Sequence, residues 1–178
     1  SERYHIPVMV NEALSFLCIR SGGAYFDCTL GGGGHSEAIL REGGTVTAVD
    51  RDSEAVAWAS GRLSRYGSSF TAQVARFSRI REVAGGMAGR FDGVIMDLGL
   101  SSRMIDNPSK GFSYRHDGPL LMDMGGSDTT ARDLVSSLSR QELISLFRVW
   151  GEEQKAGRIA DAIMRFRERR PVESTGDL

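Results

Sequence analysis

The sequence predicts an α/β fold, an open sheet of about four parallel strands with helices on its faces. Short apolar runs rich in β-branched and aromatic residues alternate with stretches in which apolar residues recur every three or four positions. Several of these runs lead directly into a glycine cluster or an aspartate, at the edge where open α/β sheets bind ligands. The alternation implies helical crossovers between successive strands, and therefore parallel pairing.

Four strands are predicted, at residues 24–30, 45–49, 70–74 and 91–96. A small helix precedes them, with Asn11 as the cap of its first turn. A second helix is predicted over residues 36–41. A third follows the second strand, because Val56, Ala59 and Leu63 fall on one helical face.

Beyond the fourth strand, residues 98–126 are rich in Gly, Ser, Pro, Asp and Met without a sustained period, which predicts a long functional loop. Two helices are predicted to follow. The first begins with a capping box of Ser139 and Glu142. Its apolar stripe contains Leu143, Ile144, Phe147 and Trp150. The second begins near Glu152 and ends in four arginines, which we interpret as a solvated helix end, with RNA binding as the alternative.

Composition argues against several classes of protein. The 178 residues, 40% of them hydrophobic, suffice for a packed core, so a disordered chain is not expected. The net charge of −1 gives no global basic field, so a nucleic acid would need a local patch. No apolar run approaches the ~20 residues of a membrane span. Cys18 and Cys28 lack metal-ligand spacing, so we expect buried free thiols and no metal site.

A run of four glycines, Gly31 to Gly34, follows the first strand. Glycine tolerates positive φ and lets the backbone approach a ligand closely. Asp50 ends the second strand, in the position from which a carboxylate accepts hydrogen bonds from two ribose hydroxyls. The loop and the aspartate together predict a site for a cofactor with an adenosine group. In the alternative interpretation, the glycines only form a tight turn and Asp50 caps the next helix.

Two kinds of cofactor with an adenosine group compete for this site. A dinucleotide motif beginning at Gly31 or Gly32 needs a third glycine where the sequence has Ser36 or Glu37. A pyrophosphate also needs bare amides at a helix N-terminus, whereas S-adenosylmethionine has no phosphate. The sequence therefore favours S-adenosylmethionine, and an NAD-dependent oxidoreductase is the less favoured enzyme class.

Three further residues are candidates for the same site. His35 either contacts the cofactor or packs within the loop. Phe77 follows the third strand, and we expect it to form a flat apolar wall beside the purine, with an ordinary core position as the alternative. Asp97 ends the fourth strand, where a carboxylate needs partners, so binding or catalysis is favoured over a turn cap.

Six segments carry a resemblance that extends in order over nearly the whole chain: HIPVMVNEAL, GGGGHSEAIL, DRDSEA, FDGVIMDLGLSS, KGFSYRHDGPLLMDM and WGEEQKAGRIADAI. They resemble successive blocks of the bacterial 16S rRNA cytosine-N4 methyltransferase family (RsmH, also called MraW) and its mitochondrial relatives. The resemblance implies part of a Rossmann-like methyltransferase fold with an α-helical insertion. On this basis we expect an S-adenosylmethionine-binding core at 1–98, a substrate and cofactor loop at 99–128 and the helical insertion at 129–178.

The resemblance also implies S-adenosylmethionine-dependent N4-methylation of a cytidine in small-subunit ribosomal RNA. It implies a location in the bacterial cytoplasm or in the mitochondrial matrix. By motif, the implied cofactor contacts are Gly33, Gly34, His35, Asp50, Phe77 and Asp97. Gly31, the first residue of the glycine run, is expected to contact the cofactor as well. We hypothesise that Asp97 is the catalytic residue and holds the cytosine amine in line with the sulfonium methyl.

The loop after Asp97 is a candidate for RNA binding. Basic and aromatic side chains interleave there, which suits phosphate contact and base stacking, and they are Arg103, Lys110, Phe112, Tyr114 and Arg115. Packing of the loop on itself is an equally good interpretation.

The sequence departs from the family pattern at several points. Met104 stands where the family has a cofactor-contacting glutamine, and a thioether cannot replace the amide donors. Leu121 and Asp123 stand where the family has a charged pair. The chain stops before the family's remaining strands, so we expect a covering partner or a second copy, in a homodimer, at the edge of the fourth strand. A noncatalytic relative that binds RNA or the ribosome is the alternative function.

Overall fold

A computed structural model describes residues 7–125 and 129–178. The chain divides after Ser102 into two compact units. Gly126, the last residue of the predicted loop, lies outside the described residues, as do His5 and Ile6 of the first family segment. Within the described ranges, no helix is long and apolar enough to cross a membrane.

The first unit contains a sheet of four parallel strands in the order β3-β2-β1-β4. Their bounds are β1 Ala24–Asp27, β2 Thr45–Asp50, β3 Phe70–Val74 and β4 Gly93–Ile95. At its end, β1 places Asp27 beside Ala48 of β2 and Ile95 of β4. The predicted α/β class with parallel strands is confirmed.

The first and fourth strands are shorter than predicted, because β1 ends at Asp27 and β4 at Ile95. Cys28 and Leu30 lie beyond the end of β1 and are nevertheless buried. An apolar run indicates which residues are buried, not which residues pair with a neighbouring strand. The predicted strand therefore included buried residues that follow the end of β1.

Helices connect the strands. Their bounds are α1 Val10–Leu17, α2 Gly34–Arg41, α3 Ser53–Leu63 and α4 Ile80–Ala84, with 3₁₀ helices at Ser64–Ser69, Phe77–Arg79 and Gly85–Met87. Helices α2 and α3 pack on one face of the sheet and α4 packs on the other, the arrangement that right-handed crossovers produce. The first face buries Tyr25, Ile39 and Leu63. The second buries Phe26 and Val49, together with Ala84 of α4.

Two predictions for single residues of this unit are wrong. The cap of α1 is Met9, in the left-handed conformation and without a side-chain hydrogen bond, so Asn11 lies inside the first turn. Cys28 is a buried free thiol as predicted, but Cys18 is exposed because it ends α1 at the surface with φ 49°.

The second unit is helical. Its elements are α5 Ser102–Asp106, which begins at the boundary, a 3₁₀ helix at Pro108–Lys110, α6 Ala131–Ser137, α7 Arg140–Val149 and α8 Ala156–Arg167. The predicted capping box of Ser139 and Glu142 is confirmed, and a second one begins α6 at Thr130. Helix α6 was not predicted. Trp150 is exposed just after the last residue of α7, so its assignment to the apolar stripe is wrong.

The second unit has its own core, formed by Leu120, Val135, Leu143, Ala160, Ile163 and Val172. At the end of α8, Arg167 Nη1 donates to the carbonyls of Val135 and Leu138, each at 2.8 Å. These are carbonyls that the end of α6 leaves unpaired. Arg170 pairs with Asp177 at 2.7 Å. Both arginines have structural partners, which supports the structural interpretation of this helix end.

Candidate functional site

The carboxyl ends of β1, β2 and β4 lie at one edge of the sheet, with β1 between the other two. The chain leaves β1 for β2 on one side and later returns to β4 on the other, so this edge is the switch point of the sheet. The glycine loop follows β1, Asp50 ends β2, and Asp97 follows β4. The fold therefore brings these predicted residues to the same edge.

The glycine loop adopts conformations that favour glycine. Gly31 has φ 49° and Gly33, the cap of α2, has φ 76°. A Cβ on Gly33 would lie 3.0 Å from Leu63 Cδ1 of α3, and a Cβ on Gly34 would lie 2.5 Å from Pro7 Cγ. A Cβ on Gly31 would meet only the Thr29 carbonyl, at 4.0 Å. The packing of the protein on itself therefore explains Gly33 and Gly34, and the space beside Gly31 is open.

Asp50 holds the glycine loop against the end of β2. Its Oδ2 accepts from the Gly31 N–H at 2.8 Å, and its Oδ1 accepts from the Asp52 N–H at 2.9 Å. The cap of α3 is Asp52, whose carboxylate accepts from the Glu54 N–H. Asp50 is therefore not the helix cap of the alternative interpretation. Each Asp50 oxygen keeps a second lone pair with which it can accept from a hydroxyl.

His35 lies in the first turn of α2 and is buried. Its Nε2 is 2.9 Å from the Val8 carbonyl oxygen, which can only accept, so Nε2 carries the hydrogen. In the neutral ring Nδ1 is then an acceptor, and it lies 3.9 Å from Asp97 Oδ2. The Asp97 side chain is 37% exposed. With the ring neutral, the pair would present two acceptors to a donor that enters between them.

Asp27 is a residue of this edge that the sequence interpretation missed. It is buried, with Oδ1 accepting from the Thr29 N–H at 3.0 Å and Oδ2 from the Ser36 hydroxyl at 2.6 Å. Burial raises the pKa of the Asp27 carboxyl, against the lowering effect of these two hydrogen bonds. A single carboxylate inside the apolar run AYFDCTL was the signal that could have identified it.

Phe77 is the first residue of the 3₁₀ helix after β3, and its side chain is exposed. It is therefore not an ordinary core residue. Its use as a wall beside the purine stays a prediction.

The remaining candidates lie in the second unit. Met104 of α5 is buried. Arg103 is exposed, and Lys110 and Phe112 are half-buried. Tyr114 is 87% exposed, and the Arg115 guanidinium carbon lies 5.7 Å from the centre of its ring. This contact is loop packing, but it leaves the tyrosine open to solvent, so both interpretations of the loop remain.

The charges of the sheet edge determine which ligands suit it. Asp50 and Asp97 place two partly exposed carboxylates there, whereas Asp27 is buried with both of its oxygens already hydrogen-bonded. Carboxylates accept hydrogen bonds from ribose hydroxyls, attract ammonium and sulfonium groups, and repel a pyrophosphate. These residues therefore fit S-adenosylmethionine better than a dinucleotide. In residues 7–125 and 129–178, no group of three or more His, Cys, Asp or Glu residues is arranged to hold a metal ion.

Comparison with known proteins gives a match along the chain. Residues 2–178 match the model of the MraW methylase family. The chain is 45% identical over 177 residues to ribosomal RNA small subunit methyltransferase H of Carboxydothermus hydrogenoformans, covering 98% of this chain and 57% of that protein. The protein of the same name from Symbiobacterium thermophilum is 42% identical over 180 residues, with the same two coverages. The chain thus spans little more than half the length of these relatives.

A solved structure, that of an S-adenosylmethionine-dependent O-methyltransferase from Thermotoga maritima, is more distant. It covers 43% of this chain and 32% of its own, with 23% identity and a TM-score of 0.38. The family match does not depend on it.

Proposed function

Because this chain belongs to the MraW methylase family, we propose that it is the cofactor-binding part of an S-adenosylmethionine-dependent methyltransferase of small-subunit ribosomal RNA. The proposed reaction is methylation of a cytidine at N4. The observation that carries this proposal is the sheet edge, where Asp50 holds the glycine loop and Asp97 lies beside His35.

For the cofactor, Asp50 is proposed to accept from the ribose hydroxyls through the lone pairs that Gly31 and Asp52 leave free. Phe77 would lie beside the adenine. The glycine loop, with Gly31, Gly33, Gly34 and His35, would face the methionine part. Met104 stays a sequence-based candidate for a further contact. When bound, S-adenosylmethionine supplies an electrophilic methyl group on a sulfonium.

For the reaction, Asp97 is proposed to accept a hydrogen bond from the exocyclic amine of the cytosine. The lone pair of that amine is delocalised into the ring, and an acceptor that holds its N–H out of the ring plane exposes the lone pair to the methyl group. After transfer the methylated nitrogen would carry a positive charge and lose a proton to solvent water, so no strong base is needed. Positioning of the amine is therefore the main contribution of Asp97.

For the RNA, we propose contacts with the second unit. Arg103, Lys110 and Arg115 would contact phosphates, while Phe112 and the exposed ring of Tyr114 would stack on bases. A base must also be unstacked before its amine can react, and aromatic side chains stabilise such a nucleotide. We further propose that a partner or a second copy covers β4, the edge strand of the sheet.

Calorimetric titration of the chain with S-adenosylmethionine tests the cofactor proposal, with NAD as the competing ligand. We expect saturable binding of S-adenosylmethionine, weak or no binding of NAD, and loss of binding in Asp50→Ala. Asp92→Ala is the matched control, because Asp92 pairs with Arg20 and precedes β4 at the opposite edge of the sheet. Binding that survives in Asp50→Ala, or a preference for NAD, would contradict the proposed site.

A methylation assay with small-subunit RNA then separates the enzyme from the noncatalytic alternative. Transfer that is lost in Asp97→Ala at saturating cofactor would support the enzyme. RNA binding without any transfer in a longer natural chain would instead favour the noncatalytic relative, for which Met104, Leu121 and Asp123 are the motivating departures.

A further inference from the structure

Thr29 is the residue at which β1 leaves the sheet. If the register Asp27↔Ala48 continued, the Thr29 N–H would donate to the Val49 carbonyl of β2. The Leu30 N–H donates to that carbonyl instead, at 3.0 Å. The Thr29 N–H turns to Asp27 Oδ1, at 3.0 Å. The backbone of Thr29 has therefore left the ladder with β2, and the buried Asp27 carboxyl holds it.

The Thr29 hydroxyl replaces a backbone acceptor on the opposite side of β1. The Cys28 N–H donates to the Ile95 carbonyl of β4 at 2.9 Å, so a continued ladder would pair the Asp97 N–H with the Cys28 carbonyl. The Asp97 N–H instead donates to Thr29 Oγ1, at 2.7 Å. One side chain thus extends the pairing of β1 with β4 to Asp97, beyond the last residue of β4.

We infer that Thr29 is a positioning residue for Asp97, an inference that rests on the proposed methyl transfer for its effect on the reaction. Asp97 is followed by the exposed Leu98 and by Gly99 with φ 151°, so its backbone is the last point at which the sheet can hold this segment. The hydrogen bond to Thr29 fixes the backbone of Asp97. It thereby fixes the position of the Asp97 carboxylate, which lies 3.9 Å from His35 Nδ1.

The same network connects Asp97 to α2. Asp27 holds the Thr29 N–H with one oxygen and the Ser36 hydroxyl with the other, and Ser36 follows His35 in α2. His35 and Asp97, whose side chains face each other, are therefore both fixed relative to the end of β1. Substitution of the Thr29 hydroxyl removes the hydrogen bond that holds Asp97. It leaves in place the bond between Asp27 and Ser36, which holds the helix turn that carries His35.

The test compares Thr29→Val, which keeps the shape but removes the acceptor, with Thr29→Ser, which keeps the hydroxyl. The matched control is Thr47→Val, because the Thr47 hydroxyl lies 3.4 Å from Thr71 Oγ1 in the β2–β3 pair, away from β4. Should Thr29→Val fail to fold in thermal denaturation, Thr29→Ala removes the same acceptor without a branched side chain. The readouts are amide hydrogen exchange at Asp97, affinity for S-adenosylhomocysteine, and kcat for RNA methylation.

We expect exchange at the Asp97 amide to accelerate at least about 10-fold in Thr29→Val. We expect kcat to fall roughly 10- to 100-fold while cofactor affinity changes less than about 3-fold. Thr29→Ser should restore both quantities, and Thr47→Val should change neither. If Thr29→Val behaves like Thr47→Val in exchange and in kcat, the inference is wrong. If the unsubstituted chain binds S-adenosylhomocysteine but methylates nothing, the cofactor proposal stands and the transfer proposal fails for this chain alone. Exchange at Asp97 then decides whether Thr29 holds it.

Discussion

Asp27 lies with its carboxyl group among apolar residues at the end of β1, where Thr29 and Ser36 donate to it. Burial raises its pKa above the ordinary value of 3.8. The unfolded chain therefore releases the Asp27 proton at a lower pH than the folded chain does. The contribution of Asp27 to the free energy of unfolding is most favourable below pH 3.8, and it is lost as the pH rises from there through the raised pKa.

The variant Asp27→Asn should remove this pH-dependent loss. Its amide oxygen can accept from the Thr29 N–H, and the Ser36 hydroxyl can accept from its amide nitrogen. As the pH rises from 3.8 towards the raised pKa, we expect the parent chain to lose up to about 1.4 kcal/mol of unfolding free energy per pH unit relative to the variant. The difference should disappear below pH 3.8. Urea denaturation between pH 3 and 8 measures it, with the exposed Asp106→Asn as control, and a difference independent of pH would contradict the argument.

The same residues show how far local sequence patterns predict the site. Asp50 and Asp97 were predictable because each follows an apolar run that ends at the ligand edge. Asp27 was missed because the predicted strand ran to residue 30, which made Asp27 an interior strand residue. The contact of Thr29 with Asp97 depends on the register of two strands that are distant in sequence, and local periodicity contains no information about it.

Helices α2 and α3 are linked by a single carboxylate. Glu37 Oε1 accepts from Arg41 of α2 at 2.8 Å and also from Arg65, and Oε2 accepts from Arg62 of α3 at 2.5 Å. Burial by itself would raise the pKa of Glu37, but the hydrogen bonds and charges of Arg62 and Arg41 outweigh it and lower that pKa below 4.5. Ionised Glu37 therefore stabilises the fold above pH 4.5, and this stabilisation is lost as the pH falls through the lowered pKa.

The variant Glu37→Gln should lower the free energy of unfolding at pH 7 by roughly 1–2 kcal/mol, because three guanidinium groups lose their shared anion. The deficit should shrink as the pH falls below 4.5, where the parent chain loses the same charge. Urea denaturation at pH 7 and at pH 3 measures the free energy of unfolding. Urea is preferred to guanidinium chloride, because that denaturant is a salt and screens the charges. Glu82→Gln, in the exposed pair with Arg79, is the control and should change stability little. An equal deficit at both pH values would assign the effect to packing.

Across the whole chain, sequence patterns predict local structure better than they predict contacts between segments that are distant in sequence. The core of the second unit includes Leu120 and Val172, which lie outside the helices. The segments that carry them pair through a bridge between Pro119 and Ser174 and through the Leu120 N–H, which donates to the Glu173 carbonyl at 2.8 Å. Capping boxes depend on residues three apart, so that of Ser139 was predictable. The pairing of residues 119 and 174 was not, because no local period relates them.

The edges of the sheet give a prediction at the scale of the whole molecule. β4 is an edge strand, and Val94 on it is 50% exposed. β3 is the opposite edge strand and carries Val74, which is 56% exposed. If a second copy covers β4, sedimentation velocity should show a sedimentation coefficient that rises with concentration. Val94→Lys should abolish that rise, because a charged side chain opposes edge pairing, and Val74→Lys should leave it unchanged. A cooperatively folded monomer at every concentration would contradict the homodimer, and equal effects of the two lysines would indicate association that does not depend on β4.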